Sequence, residues 1–238
     1  MKKIRFTFCR AKCAVYLSNV EVQKVFLAAF KLVQDKMQVA YSSDTNHKML
    51  LEFALDLPVG MESIGEVAEA IMNEDIKIPF FVKALNEVLP KGIVVLSAQE
   101  VEMDNDLNNS NNIIPKATLY NKVYSVTYEI WFDYSEKEFE GKNKREIQDI
   151  KRWYVDRMQE FLTQPNIYIV RKNDDKVDRL NIKQQLHDFS FMLDDSLIIT
   201  IDAGMKTTLT PAEIMRGYEE YSGKPIDYSV RRRKIFIK

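Results

Sequence analysis

Apolar and polar residues alternate along Lys3-Ile4-Arg5-Phe6-Thr7-Phe8-Cys9, so the chain opens on a half-buried strand. Residues 14–17 read as a short second strand. Ser18-Asn19-Val20-Glu21 then has the spacing of a capping box, in which the serine oxygen accepts from the Glu21 backbone and the carboxylate reaches back. From there the period changes to that of a helix, with Val22, Val25, Phe26, Ala29 and Val33 on one face. Strands are expected near 38–42, 49–57 and 63–72. Pro79 suits a first helical position, and Val82, Leu85, Val88 and Leu89 make a second apolar stripe. Pro90-Lys91-Gly92 stops that helix, and Ile93-Val94-Val95-Leu96 begins the next strand.

Residues 104–116 break the pattern with a run of asparagines and almost nothing to bury, which reads as an exposed linker. The order then recurs. Tyr124–Phe132 alternates as a strand, and a long helix is expected over about 143–163, with Ile147, Ile150, Tyr154, Met158 and Phe161 facing inward. Pro165 ends it, Ile167–Val170 is extended, and strands near 187–193 and 196–202 form a hairpin around Asp194-Asp195. Thr210-Pro211-Ala212-Glu213 is a second capping box with proline at the first helical position, and a last strand follows at about 229–237. Each half therefore reads βαββαβ with small additions, the ferredoxin-like order. The expected fold class is α+β, with two tandem ferredoxin-like halves, 1–103 and 117–238, on either side of a linker at 104–116. They would form a continuous antiparallel sheet with helices on one face. The other face stays bare unless something covers it.

Composition narrows the function classes. With 238 residues and 46% apolar side chains, the chain can bury ordinary cores and is neither disordered nor a disulfide scaffold. None of the seven glycines falls in a G-x-G or G-x-x-x-x-G-K pattern, so the backbone cradles of dinucleotide and P-loop sites are missing. The net charge is -1, yet it is unevenly spread. Residues 1–115 carry 12 basic and 15 acidic side chains, whereas residues 116–238 carry 22 and 20. The run Arg231-Arg232-Arg233-Lys234 would send two charges to each face of its strand. Arg231 and Arg233 are thus candidates for RNA phosphates, the alternative being a solvated edge strand protected against aggregation.

Arg5, Arg10 and Lys12 interrupt the apolar runs that an export signal needs, and no later stretch approaches the length of a membrane span. A cytoplasmic protein with reduced thiols and no membrane partner is expected. Cys9 and Cys13 echo the spacing of a radical SAM cluster motif but lack a third cysteine, and only His47 and His187 could join a zinc site. No metal and no cofactor is expected.

Two resemblances emerge from particular stretches. Phe8, Tyr16-Leu17-Ser18-Asn19-Val20-Glu21, Val25-Phe26, Ala40-Tyr41-Ser42, Asn46, Phe53-Ala54-Leu55, Leu57-Pro58-Val59-Gly60 and Glu62-Ser63 follow one another in a characteristic order. Leu85-Asn86, Leu89-Pro90, Gly92, Val177-Asp178 and Pro211 continue it. In this the chain resembles the radical-SAM-linked domain family, bacterial proteins of unknown activity found beside or fused to cobalamin-binding radical SAM proteins. The resemblance implies a radical SAM protein as partner. This chain departs from the family's F-L-S-H-L-D by carrying Asn19 for the histidine and Glu21 for the aspartate. In the stretch where the family reads G-F-N-P-H-P-K it keeps Asn46 and has His47 displaced by one position.

The second, more distant resemblance is to tRNA pseudouridine synthases of the anticodon stem-loop type, which are also tandem α/β halves. Ala40-Tyr41-Ser42-Ser43-Asp44-Thr45-Asn46 occupies the place of their A-G-R-T-D-A-G-V-H loop, and Leu85-Asn86-Glu87-Val88-Leu89-Pro90 that of L-N-x-L-P. The resemblance places Asp44 at the essential aspartate, Tyr124 at the active-site tyrosine, and Ser42 at the arginine that pairs with the aspartate. Pseudouridine formation needs a carboxylate beside an extruded uridine. Without the arginine, Asp44 would bear its burial cost alone, and a turn residue is the other reading of it.

The catalytic candidates are therefore Asp44 and Tyr124, and the ligand-binding candidates are Asn19, Glu21, Tyr41, Ser42, Asn46 and His47. Glu21 is equally a helix-cap carboxylate. The two functional expectations are an accessory or binding module acting with a radical SAM enzyme, with RNA as a second partner, and an RNA-modifying enzyme with Asp44 as its carboxylate.

Overall fold

The computed structural model describes residues 1–43, 45–103, 118–173, 176–205 and 208–238. The expected linker at 104–116 lies outside the described residues. The first half runs β1 (Lys2–Arg10), α1 (Asn19–Leu32), β2 (Leu51–Phe53), β3 (Glu62–Met72), α2 (Ile78–Val88) and β4 (Ile93–Val101). Its helices start as the sequence predicts. Ser18 and Glu21 complete the capping box of α1, and Pro79 lies in the first turn of α2. Asn86 pins the end of α2 to β4, its amide donating to the Val95 carbonyl (2.8 Å) and its oxygen accepting from the Val95 N–H (2.8 Å). The leucine-asparagine pair of the sequence motif is thus a fastening between helix and strand.

The second half runs α3 (Leu119–Lys122), β5 (Val123–Asp133), α4 (Glu136–Phe139), α5 (Lys144–Thr163), β6 (Tyr168–Asn173), β7 (Lys176–Asn181), β8 (Leu186–Phe191), β9 (Leu197–Asp202), α6 (Pro211–Ser222) and β10 (Asp227–Ile237). Asn143 caps α5 by accepting from the Arg145 and Glu146 backbones, and Glu146 returns the bond to Asn143. The Thr210–Glu213 box caps α6.

The protein is α+β, with eight strands in one mixed sheet of order β4-β1-β3-β10-β5-β9-β8 and β2 also on β3. Counting strands within each half, the first reads β4-β1-β3-β2 and the second β10-β5-β9-β8, so the same order occurs twice. β6 and β7 form a separate two-stranded sheet. The sheet departs from the expected all-antiparallel one at β10, where Arg231 and Arg232 align in parallel with Glu62 and Ser63 of β3. A further departure lies at 14–17, where a 3-10 turn over Lys12–Tyr16 replaces the short strand. The carbonyls of that turn point inward to meet a buried arginine, as described below. Near 38–42 isolated bridges at Val39 and Tyr41 replace a strand, and near 49–57 only Leu51–Phe53 is strand. β7 is a strand that was not expected.

By internal contacts the chain divides into Met1–Ser125 with Arg231–Lys238, and Val126–Val230. In the first unit Ile4, Phe6 and Phe8 of β1 pack with Phe26 and Phe30 of α1 and with Phe81 and Leu85 of α2. Each fully buried phenylalanine contributes about 1.5–3 kcal/mol of apolar transfer. In the second, Val126, Ile130 and Phe132 of β5, Ile199 and Ile201 of β9, Tyr154, Met158 and Phe161 of α5, and Ile214 and Tyr218 of α6 are buried.

The face of β1 and β3 that points away from α1 and α2 is partly covered. A Cβ built on Gly65 would stand 2.0 Å from the Arg233 carbonyl oxygen, so only glycine lets β10 cross β3 so closely. No helix among the described residues is long and apolar enough to cross a membrane.

Candidate functional site

Every described candidate residue belongs to the first unit. The candidates fall in three places, the first being the start of α1. There Glu21 accepts from both the backbone and the hydroxyl of Ser18 at 2.7 Å. These bonds hold its carboxyl below the usual carboxylate range, so Glu21 acts as a cap. Asn19 turns its oxygen inward, accepting from the Leu57 N–H (3.0 Å) and from Arg10 Nη1 (3.4 Å).

Arg10 was not singled out by the sequence, and it organises this corner. It is 1% exposed. Its Nε donates to the Ala14 carbonyl (2.9 Å), and Nη2 donates to the carbonyls of Val15 (3.0 Å) and Leu17. Nη1 reaches the Leu57 carbonyl (3.5 Å) as well as Asn19. All five guanidinium donors therefore meet neutral oxygens, which draws the 12–17 turn, the start of α1 and the 57 segment around one charge. Burial pulls the Arg10 pKa down from its ordinary value, with Glu66 opposing and Arg232 adding to the effect. The missed signal is periodic, because Arg10 lies in phase with Ile4, Phe6 and Phe8 on the core face of β1.

Beside it Glu66 and Arg232, 4% and 3% exposed, form an ion pair at 3.0 Å. Ser63 donates to Glu66 (2.5 Å), and Arg232 Nη2 donates to the Asp56 carbonyl (2.7 Å). A cavity of about 20 Å³ lies among Arg10, Asn19, Gln23, Asp56 and Glu66. It has room for a water and none for a substrate. This corner is a clamp that holds the 12–17 turn, the start of α1 and the 56–57 segment together.

The second place is the 41–49 loop. Tyr41 and Met49 form a bridge, the Ser42 N–H donates to the Lys48 carbonyl (2.7 Å), and the Ser42 hydroxyl accepts from the Lys48 N–H (2.9 Å). Ser42 thus closes the loop with the groups it has. His47 adopts a φ of 44°, and its ring stacks on Tyr41 with centroids 4.8 Å apart and planes at 14°. Tyr41 is 39% exposed, and Asn46 and His47 are exposed beside it. Asp44 lies outside the described residues.

The third place combines β5 and β10. Tyr124 is 41% exposed and its ring lies 5.9 Å from that of Phe236. Arg231 and Arg233 are partly exposed, while Arg232 between them turns to Glu66. The run thus splits as strand alternation predicts, with one arginine spent on the core.

Residues 3–211 match the model of a family described as "Uncharacterized protein conserved in bacteria (DUF2344)". The chain belongs to that family. The match of this DUF2344 chain includes Arg10, Asn19, the 41–49 loop and Tyr124, and it stops before the Arg231–Arg233 run. Among curated proteins, the DUF2344 chain is 32% identical over 114 residues to the tRNA pseudouridine synthase A of Acetivibrio thermocellus. That stretch covers 43% of this chain and 47% of the relative, so the chain spans about half the length of the curated relative it matches. Among solved structures, it resembles an unknown protein from Galdieria sulphuraria, at 11% identity and a TM-score of 0.23, over 97% of this chain and 98% of that one.

Proposed function

We propose that this DUF2344 protein is an RNA-binding accessory module that acts beside a radical SAM enzyme. The observation that carries the RNA part is the 32% identity to a protein named tRNA pseudouridine synthase A. The exposed Tyr41–His47 stack and the exposed Tyr124 support it, because rings on a surface offer platforms for unpaired bases. Arg231 and Arg233 supply charge for phosphates. The radical SAM partner rests on the run Tyr16–Glu21, the 40–46 segment and Leu57–Gly60, which resemble the radical-SAM-linked pattern.

Binding is favoured over catalysis by what Ser42 does. Its hydroxyl and N–H are both engaged with Lys48, and it brings no cation to a neighbouring carboxylate. The test is fluorescence anisotropy with an anticodon stem-loop RNA. Micromolar or tighter binding that weakens with salt is expected, and it should fall in Tyr41→Ala and Arg233→Gln. Absence of binding at low salt overturns the RNA reading. The partner reading fails if the protein does not co-elute with a radical SAM protein encoded beside it at micromolar concentration.

The name of the curated relative favours one second reading, uridine isomerisation with Asp44 as the carboxylate and Tyr124 beside it. Incubation with uridine-labelled tRNA decides it. Product that disappears in Asp44→Ala would establish that reading, and no product in the wild type would end it.

A further inference from the structure

A groove of about 400 Å³ lies in the first unit on the face of the sheet away from α1 and α2. Its floor includes Arg5 and Thr7 of β1 and Ser97 and Gln99 of β4. Its wall is the end of β10, with Lys234 and Phe236. The floor residues share a face by register, since Thr7 aligns with Ser97 and Arg5 with Gln99. The crossing of β10 over Gly65 raises the wall.

The lining carries two basic side chains and no acidic one. Arg5 is held rigidly, with Nε and Nη2 both on Glu69 Oε1 at 2.8 and 2.7 Å. Lys3 meets the other oxygen of Glu69 at 2.7 Å, so one buried carboxylate serves two cations. Lys234 is exposed, with its ammonium 4.5 Å from the centre of the Phe236 ring. Thr7, Ser97 and Gln99 add neutral donors, and the Phe236 ring continues to Tyr124. Cations, neutral donors and an aromatic edge in one open channel match the needs of a phosphodiester with its base.

From this we infer that the groove holds a single-stranded RNA segment, with Lys234 on a phosphate and Phe236 against a base. The inference rests on the RNA reading above and adds to it the strand form recognised and the face that recognises it. A groove of about 400 Å³ suits one or two nucleotides and is too small to take a duplex, so the occupant is unpaired chain. The shared chemistry with a free nucleotide is the phosphate, and the experiment separates the two.

Labelled octauridylate is titrated into the full chain by anisotropy between about 50 and 200 mM salt, where phosphate contacts weaken steeply. Lys234→Gln is expected to weaken binding roughly fivefold and to lower the salt slope by about 0.7, the share of one phosphate on a single strand. Ser97→Glu, at an exposed position, is expected to weaken it by more than about tenfold through repulsion. Unchanged affinity and slope in both variants overturns the groove. Uridine monophosphate competing as strongly as octauridylate also overturns it, in favour of a free nucleotide. Binding of stem-loop RNA without octauridylate removes only the groove. Lys234-dependent binding of octauridylate without stem-loop RNA removes only the stem-loop reading, and binding of neither removes both.

Discussion

The two halves share a strand order, and the two compact units of the chain differ in what polar groups they bury. In the first, β1 and α1 join a core of phenylalanines, and the buried polar groups are charges, Arg10 on five neutral oxygens and Glu66 on Arg232. In the second, Glu129 and Ser196 are buried, and the largest buried polar side chains are tyrosines. Tyr154 donates to Glu138 at 2.6 Å and Tyr218 donates to the Tyr154 carbonyl at 3.1 Å. A neutral hydroxyl costs little to bury and fixes little around it. A buried guanidinium is costly unless every donor is met, and meeting them dictates where several loops must go. The first unit buries more charge than the second, and it also holds the described candidate residues. Of those candidates, the clamp holds Asn19 at the start of α1 directly.

Removing the clamp should have the largest effect. Arg10→Met takes one donor from each of four carbonyls and the Asn19 oxygen, of which Ala14, Val15 and Asn19 keep a backbone N–H. A loss of about 3–5 kcal/mol is expected in urea unfolding. A loss under about 1 kcal/mol would mean that the first half does not depend on its buried charge. Gly65→Ala should come next, at roughly 1–3 kcal/mol, because the new methyl meets the backbone of β10. If the loss is instead within the range of surface changes, β10 does not cross as closely as the geometry requires.

Tyr218→Phe should cost only about 1 kcal/mol, the net worth of one neutral hydrogen bond. The pH dependence sharpens the same contrast. Burial raises the hydroxyl pKa values of Tyr134, Tyr154 and Tyr218 above their ordinary 10.0. The folded state therefore favours the neutral phenols. The stability they lend is fully present below pH 10 and is lost as the pH rises above it. The thermal midpoint should fall between about pH 10 and 11, and Tyr218→Phe should blunt that fall. Smallest of all, Tyr41→Ala and His47→Ala should move stability by no more than about 0.5 kcal/mol while weakening RNA binding. A large stability loss there would make the stack part of the core and remove it from the site.

Much of the fold was readable because it is written locally. The capping boxes at Ser18 and Thr210 act over three residues, and the strand and helix periods survive averaging over a turn or two. The turn over Lys12–Tyr16 was misread as a strand because Ala14-Val15-Tyr16-Leu17 is apolar enough to look extended. Its true shape is set by Arg10, through bonds to carbonyls that carry no residue signature. The candidate site was legible only in part for a similar reason. Tyr41, Ser42, Asn46 and His47 are legible as loop residues, but the bond from Ser42 to Lys48 needs the loop closed. Strand alternation sets Arg232 on the face opposite Arg231 and Arg233, but nothing nearby in the chain announces Glu66 as its partner.

The residues alone determined the element types, most of their limits and the repetition of the βαββαβ order, since propensity, caps and periodicity act at short range. Tertiary structure decided which charges lie inside, how β10 turns parallel to β3, and where it crosses at Gly65. The longest-range of those outcomes join groups more than a hundred and fifty residues apart, such as Glu66 and Arg232. Desolvation penalties and backbone clashes between such distant groups exist only once the sheet has assembled.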